Sequence, residues 1–174
     1  MAQPLGSGTN QAVSSAYEIP KISPEAEALL FNAARAELVE EVIRPSLKNG
    51  LVVITDRYFD STIAYQGYGR GGDLDLLRAV CRFATAEVIP TRTFLIDLPV
   101  AVASKRLSER GRRETGTDRF HDDEGEFHER VREGYLRLAA AEPGRFVVID
   151  GDRTEEVVAA DIRRQVDQLL GLPA

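Results

Sequence analysis

The stretch Leu51-Val52-Val53-Ile54-Thr55-Asp56-Arg57-Tyr58 decides the reading of this chain. An unbroken apolar run, mostly β-branched and closed by a polar turn, is the pattern of a short strand covered on both faces. Two further runs share it, Phe94-Leu95-Ile96 and Phe146-Val147-Val148-Ile149, and an acid follows each of the three: Asp56, Asp97 and Asp150. Helix-like stretches separate them at about 73–87, 99–110, 124–141 and 154–170. Strands alternating with helices of that length predict parallel βαβ units under right-handed crossovers, in one α/β domain.

Upstream of the first run the chain changes character. Residues 1–20, with Gly-Ser-Gly-Thr-Asn-Gln-Ala-Val-Ser-Ser-Ala at their centre, are small and polar without any period, and read as a flexible N-terminal remnant. Residues 21–174 read as the folded domain. Ser23-Pro24 is an N-cap followed by proline at the first helical position, with Glu25 and Glu27 in the first turn, where the helix dipole favours acids. Apolar residues recur at Leu29, Leu30, Ala33, Ala34, Leu38, Val42 and Ile43, the spacing of a long amphipathic helix. Pro45 predicts a kink or an end, and Asn49-Gly50 closes the segment.

Composition narrows the class. With 174 residues, 43% apolar and 29% charged, the chain is an ordinary globule long enough to bury a core. No apolar run approaches the ~20 residues of a membrane helix, and the start lacks the basic-then-apolar layout of a signal peptide. A net charge of −6 argues against holding a nucleic acid polymer by its phosphates. Cys81 stands alone, so no internal disulfide forms, and one cysteine with two histidines makes no zinc set. The default is a cytoplasmic protein in a reducing compartment.

In open parallel sheets, ligands bind beyond the carboxyl ends of the strands. Asp56-Arg57 therefore comes first: an acid can hold Mg²⁺ and an arginine can fork onto phosphate oxygens, although Asp56 could equally cap the next helix. Phe31 and Arg35, four residues apart, share a helix face; together they could stack on a base and bond its edge, or Phe31 could be plain core. Arg106, Arg110, Arg112, Arg113 and Arg119 put five arginines in 14 residues, with Gly111 and Gly116 among them. Such a cluster reads as a flap closing over polyphosphate, or as a solvated helix end. The glycine-rich run Ala64–Gly72 lacks the Gly-Lys-Ser/Thr ending of a phosphate loop, and Asp73 reads as the cap of the next helix. His121-Asp122-Asp123-Glu124 reads as solvated surface, since consecutive residues seldom converge on one ion.

In combination these motifs resemble the bacterial thymidylate kinase family. The resemblance is carried by Ile22–Phe31 with Ala34-Arg35, by Val39–Pro45, by Asp56-Arg57-Tyr58 with Ser61, and by Ala64–Gly67 with Gly69-Arg70-Gly71. It continues through Asp97-Leu98-Pro99, Asp118-Arg119-Phe120, Phe127-His128 and Arg132–Leu136, and covers roughly residues 20–170. It implies a P-loop kinase fold, the reaction ATP + dTMP → ADP + dTDP with Mg²⁺, and a homodimer. By the same resemblance Phe31 would stack on thymine, Arg35 would bond its edge, and Thr62 and Gln66 would lie on the substrate side. Tyr65 would lie against the deoxyribose and crowd out a 2′-hydroxyl. Arg57 would bridge the dTMP phosphate towards the transferred group, Asp56 would sit near the magnesium shell, and Arg110, Arg112, Arg113 and Arg119 would form a lid over ATP.

One part of the family pattern is missing from these residues. The family begins with a strand, a Walker-type loop and a helix, whereas here Pro4-Leu5-Gly6 matches only the tail of a later loop, and no Gly-x-x-x-x-Gly-Lys-Ser/Thr occurs. The expected fold is thus a helix-flanked parallel sheet without its N-terminal P-loop strand–helix unit. A chain of these residues alone is expected to be a poor or inactive kinase, because lid arginines cannot replace the loop's backbone cradle and lysine. Three readings follow: a thymidylate kinase whose phosphate loop lies upstream of Met1, a non-catalytic relative that keeps a dTMP-binding surface, or a neighbouring nucleoside or nucleotide kinase. The set Phe31, Arg35 and Tyr65 favours thymidylate.

Overall fold

A computed structural model describes residues 22–114 and 122–172, which fall into two compact units, 1–89 and 90–174. The first unit is helical. Helix α1, Pro24–Leu38, starts as its sequence dictates: Ser23 is extended, its hydroxyl accepts from the Ala26 amide at 3.2 Å, and Pro24 opens the first turn. Pro45 does not end the segment. A π-helical turn, Val39–Ile43, precedes it, and α2, Arg44–Lys48, carries the chain onward. Proline lacks an N–H and crowds the carbonyl four residues back, and a widened turn relieves that conflict without breaking the helix.

Leu51–Ile54 is not a strand. The segment has no regular secondary structure, and Leu51, Val52 and Ile54 are exposed, Ile54 at 87%. A strand is defined by its neighbour, and among the described residues no strand pairs with this one. Helix α3, Phe59–Thr62, follows and runs directly into a second π-helical segment, Ile63–Gly69. Helix α4, Leu74–Thr85, then starts at Asp73, whose carboxylate accepts from the amides of Asp75 and Leu76 at 2.9 and 3.0 Å. A cap of this kind contributes about 1 kcal/mol. Gly72 is needed just before it, because a Cβ there would stand 2.7 Å from the Gln66 carbonyl oxygen. Helix α1 packs on α4 and on the second π segment, around Ala28, Val39, Ile43, Ile63, Ala64, Cys81 and Ala84.

The second unit contains the sheet. Strands β1, Thr93–Asp97, and β2, Phe146–Asp150, pair in parallel with Thr93 opposite Phe146 and Asp97 opposite Asp150. Between them lie α5, Val100–Glu114, and α6, Asp122–Ala141, and α7, Glu155–Leu170, follows. Helix α6 packs on both strands and α7 on β2, around Val131, Leu138, Phe146 and Ile149. The strands are not covered on both faces as their apolar runs predict: Ile96 is 47% exposed and Val148 is 50% exposed. Hydrophobicity reports what a segment can bury, and a sheet of two strands offers its flanking helices less to cover.

The acids that end these strands are tied down locally. Arg132 donates to Asp97 through Nε and Nη2 at 2.7 and 2.9 Å, a bidentate pair, and Asp150 accepts from the Asp152 amide and pairs with Arg153. Directly after β2, the Gly151 amide donates to the Asp97 carbonyl at 2.6 Å. A Cβ at Gly151 would lie 2.7 Å from Ile96 Cγ2 and 3.0 Å from the Asp97 carbonyl oxygen. The variant Gly151→Ala is expected to lose about 1–3 kcal/mol of stability, the usual cost of overpacking. Thermal or urea unfolding of the purified variant checks this, and unchanged stability would contradict the close approach.

Candidate functional site

A cavity of about 730 Å³ opens in the first unit, within the ~300–1,000 Å³ range of small-ligand pockets. Helix α1 supplies Phe31, Ala34, Arg35, Glu37 and Leu38, and the loop and helices after residue 53 supply Asp56, Arg57, Thr62, Tyr65 and Gln66 among others. The seven residues Phe31, Arg35, Asp56, Arg57, Thr62, Tyr65 and Gln66, scattered over 36 positions of sequence, therefore line one cavity. Phe31 is half-buried at its wall, not sealed in a core.

Arg35 is buried, only 9% exposed. Its Nη1 donates to Asn32 Oδ1 at 2.6 Å, and its Nη2 donates to Thr62 Oγ1 at 2.9 Å and more weakly to the Tyr58 carbonyl at 3.5 Å. Asn32 is fixed in turn by donating to the Ala28 carbonyl at 2.8 Å. Burial pulls the pKa of Arg35 down, an effect partly offset by Cys81, Tyr58 and Asp60 around it. Of the five guanidinium N–H groups, Nε–H and one Nη1–H remain for a ligand. Thr62 is thus more than a pocket wall: its hydroxyl holds Arg35 in place. Behind it, burial pushes the Cys81 thiol up, so the one cysteine is an inert packing residue.

The opposite side of the cavity is more open. Asp56 and Arg57 are exposed, and the Arg57 guanidinium lies 5.1 Å from the centre of the Tyr65 ring, a cation–π contact that aligns the two. Asp56 does not cap α3; Tyr58 occupies that position and no side chain bonds the helix end. Gln66 is buried, and its Nε2 donates to Glu27 Oε2 at 2.8 Å. Arg70 Nε meets the same carboxylate at 3.0 Å. Glu37 on α1 and Glu41 on the π-helical turn after it also line the cavity, and a hydrogen bond with Glu37, with its like charge, holds the Glu41 carboxyl above its usual range.

Of the arginine cluster, Arg106 alone has a described side chain. Arg106 is tied within the second unit, donating to the Gly151 carbonyl at 2.9 Å and pairing with Asp152 at 3.6 Å. The backbone of Arg110, Arg112 and Arg113 falls in the last turns of α5, while their side chains, like Arg119 and His121, lie outside the described residues. Among the described residues no three His, Cys, Asp or Glu side chains converge to hold a metal, and no helix is long and apolar enough to cross a membrane. Sequence reasoning missed Asn32, Glu27 and Arg70. Asn32 carries a signal, its place three residues before Arg35 on one helix face. Glu27 carries none, because its partners Gln66 and Arg70 are about 40 residues away and only the packing of α1 on the second π segment joins them.

Helices on a parallel sheet, with an arginine- and aromatic-lined cavity, place the chain in the P-loop-kinase-like class of α/β proteins. A solved structure described as thymidylate kinase from Ehrlichia chaffeensis matches with a TM-score of 0.72 and 30% identity, covering 95% of this chain and 77% of its own. Residues 4–162 match the family described as thymidylate kinase. A thymidylate kinase of Carboxydothermus hydrogenoformans is 49% identical over 150 residues, 86% of this chain and 71% of that protein. One of Deinococcus radiodurans is 42% identical over 165 residues, 95% of this chain and 77% of that protein. The chain belongs to the thymidylate kinase family.

The carboxylates Glu37 and Glu41 give a direct check on the cavity's local electrostatics. A hydrogen bond with Glu37, and then its like charge, disfavour ionising Glu41, so Glu37→Gln is expected to lower the Glu41 titration midpoint towards the ordinary carboxylate value. Side-chain NMR titration of the two proteins measures it, and an unmoved midpoint would show that the pair does not interact.

Proposed function

We propose that the cavity between α1 and α3 binds dTMP as the acceptor in phosphoryl transfer from ATP, giving dTDP and ADP. The observation that carries this is the convergence on one cavity of an aromatic ring, Phe31, a buried guanidinium with spare donors, Arg35, and an exposed arginine, Arg57, stacked on Tyr65. Phe31 would stack on thymine while Arg35 donates to a ring carbonyl. Thr62 and Gln66 would flank the base, and Tyr65 would pack against the deoxyribose where a 2′-hydroxyl would crowd it. Arg57, still accessible, would hold the dTMP phosphate and neutralise charge as it develops on the transferred group. The acceptor oxygen is a phosphate oxygen that needs no base at neutral pH, so these residues act by positioning and charge stabilisation.

The metal reading fits a limited role. Of the carboxylates that line the cavity, Glu37, Glu41 and Asp56, only Asp56 adjoins Arg57 in sequence, and Mg²⁺ with its strong hold on water is usually bound through one or two carboxylates plus phosphates. Asp56 would hold such an ion through its water shell, and when bound it would supply charge neutralisation on the phosphates. Arg110, Arg112, Arg113 and Arg119 are proposed as the lid over ATP. A cytoplasmic homodimer completes the reading, supported by the apolar face that Leu76 and Phe83, 62% and 88% exposed, leave on α4 for a second copy.

Calorimetric titration with dTMP tests the acceptor site without requiring turnover. Arg35→Met is expected to weaken binding by roughly 10–100-fold, the worth of hydrogen bonds from a charged donor. Phe31→Ala is expected to cost about 1–3 kcal/mol, the worth of one stacked base. Lys48→Ala, at the exposed end of α2, should bind like the unaltered chain. Unchanged affinity in both cavity variants would contradict the site.

A further inference from the structure

We propose that Glu27, clamped by Arg70, is a positioning residue that sets which atom Gln66 turns to the base, and through it the preference for a thymine over a cytosine. The inference rests on dTMP occupying the cavity. Glu27 is only 6% exposed, an uncommon state for a carboxylate, and it makes two kinds of bond there. Arg70 donates to it from Nε at 3.0 Å and from Nη2 at 3.5 Å, and Gln66 donates from Nε2 at 2.8 Å.

An ionised carboxylate only accepts, so it fixes the orientation of an amide whose two ends are otherwise nearly interchangeable. With Nε2 held at Glu27, the carbonyl Oε1 must face the other way. Gln66 lines the cavity, whereas Glu27 and Arg70 do not. The nitrogen end is therefore turned away from the cavity and the oxygen end towards it. The cavity then carries an acceptor, Gln66 Oε1, together with the spare donors of Arg35. Thymine offers the complement of that pair, a ring N3–H beside a carbonyl. Cytosine offers the reverse, a bare ring nitrogen beside an amino group, and would leave buried polar groups opposed.

Binding of dTMP and dCMP to the full 174-residue chain, measured by calorimetry, tests this. In Glu27→Gln the amide at position 27 can donate as well as accept, so Gln66 is free to turn over. The expected result is dTMP binding about tenfold weaker with dCMP binding not weakened, so that the dTMP:dCMP ratio falls about tenfold or more. On a Gln66→Ala background the same substitution should leave the ratio unchanged. Arg70→Gln, at a side chain 44% exposed, should lower the ratio in the same direction and stands in if thermal melts show that Glu27→Gln does not fold. Equal weakening of both ligands, which a merely structural Glu27 would give, overturns the inference, as does an unchanged ratio in a folded variant. If the unaltered chain binds no dTMP, the proposed function fails and the inference falls with it; dTMP binding with no change in ratio strikes the inference alone.

Discussion

A guanidinium removed from water must be met by acceptors, and Arg35 is met from three places at once. Asn32 approaches along the same helix, Thr62 from the helical segment opposite, and the Tyr58 carbonyl from the loop before it. Leaving a buried charge without these partners costs several kcal/mol, so α1 and α3 are held in the spacing that keeps the bonds made. Much of the first unit is arranged around that requirement. Asn32 is pinned by Ala28, and Tyr58 is braced through its hydroxyl, which donates to the Val88 carbonyl at 3.2 Å. Glu27, Gln66 and Arg70 join α1 to the second π-helical segment and the residue that follows it.

The same constraint links packing to chemistry. Because the protein already uses three of the Arg35 donors, the side chain has one rotamer and two directions left in which to bond. A ligand that meets it loses no further arginine freedom, which is how preorganisation favours binding. Arg57 works under a different condition: exposed and stacked on the Tyr65 ring, it faces solvent, where a phosphate can reach it. A buried end and an exposed end in one cavity suit a ligand whose base is to be discriminated and whose phosphate is to react.

How much of this was legible in the sequence depended on the range of the interactions. Ser23-Pro24 and Asp73 begin helices as their local chemistry requires, and the runs at 94–96 and 146–149 pair as parallel strands. The identical-looking run at 51–54 does not, since its pattern describes a capacity for burial and not the presence of a partner strand. The π-helical segments at 39–43 and 63–69 also escaped notice. Apolar periodicity is too coarse to register one extra residue per turn, and the glycines at 67, 69, 71 and 72 suggest a loop. Phe31, Arg35, Asp56, Arg57, Thr62, Tyr65 and Gln66 all reach the cavity, but it was resemblance that singled out Thr62, Tyr65 and Gln66. Glu27 and Arg70 were out of reach because nothing in a linear string announces a bond across 43 residues.

The central claim is that the Arg35 cluster orients a nucleotide base while Arg57 receives its phosphate. A crystal structure of the chain soaked or grown with dTMP tests it most directly. The account predicts the thymine ring against Phe31, a ring carbonyl within hydrogen-bond distance of Arg35, and the phosphate at Arg57. Density for dTMP with its phosphate buried at Arg35, or bound away from this cavity, would contradict it.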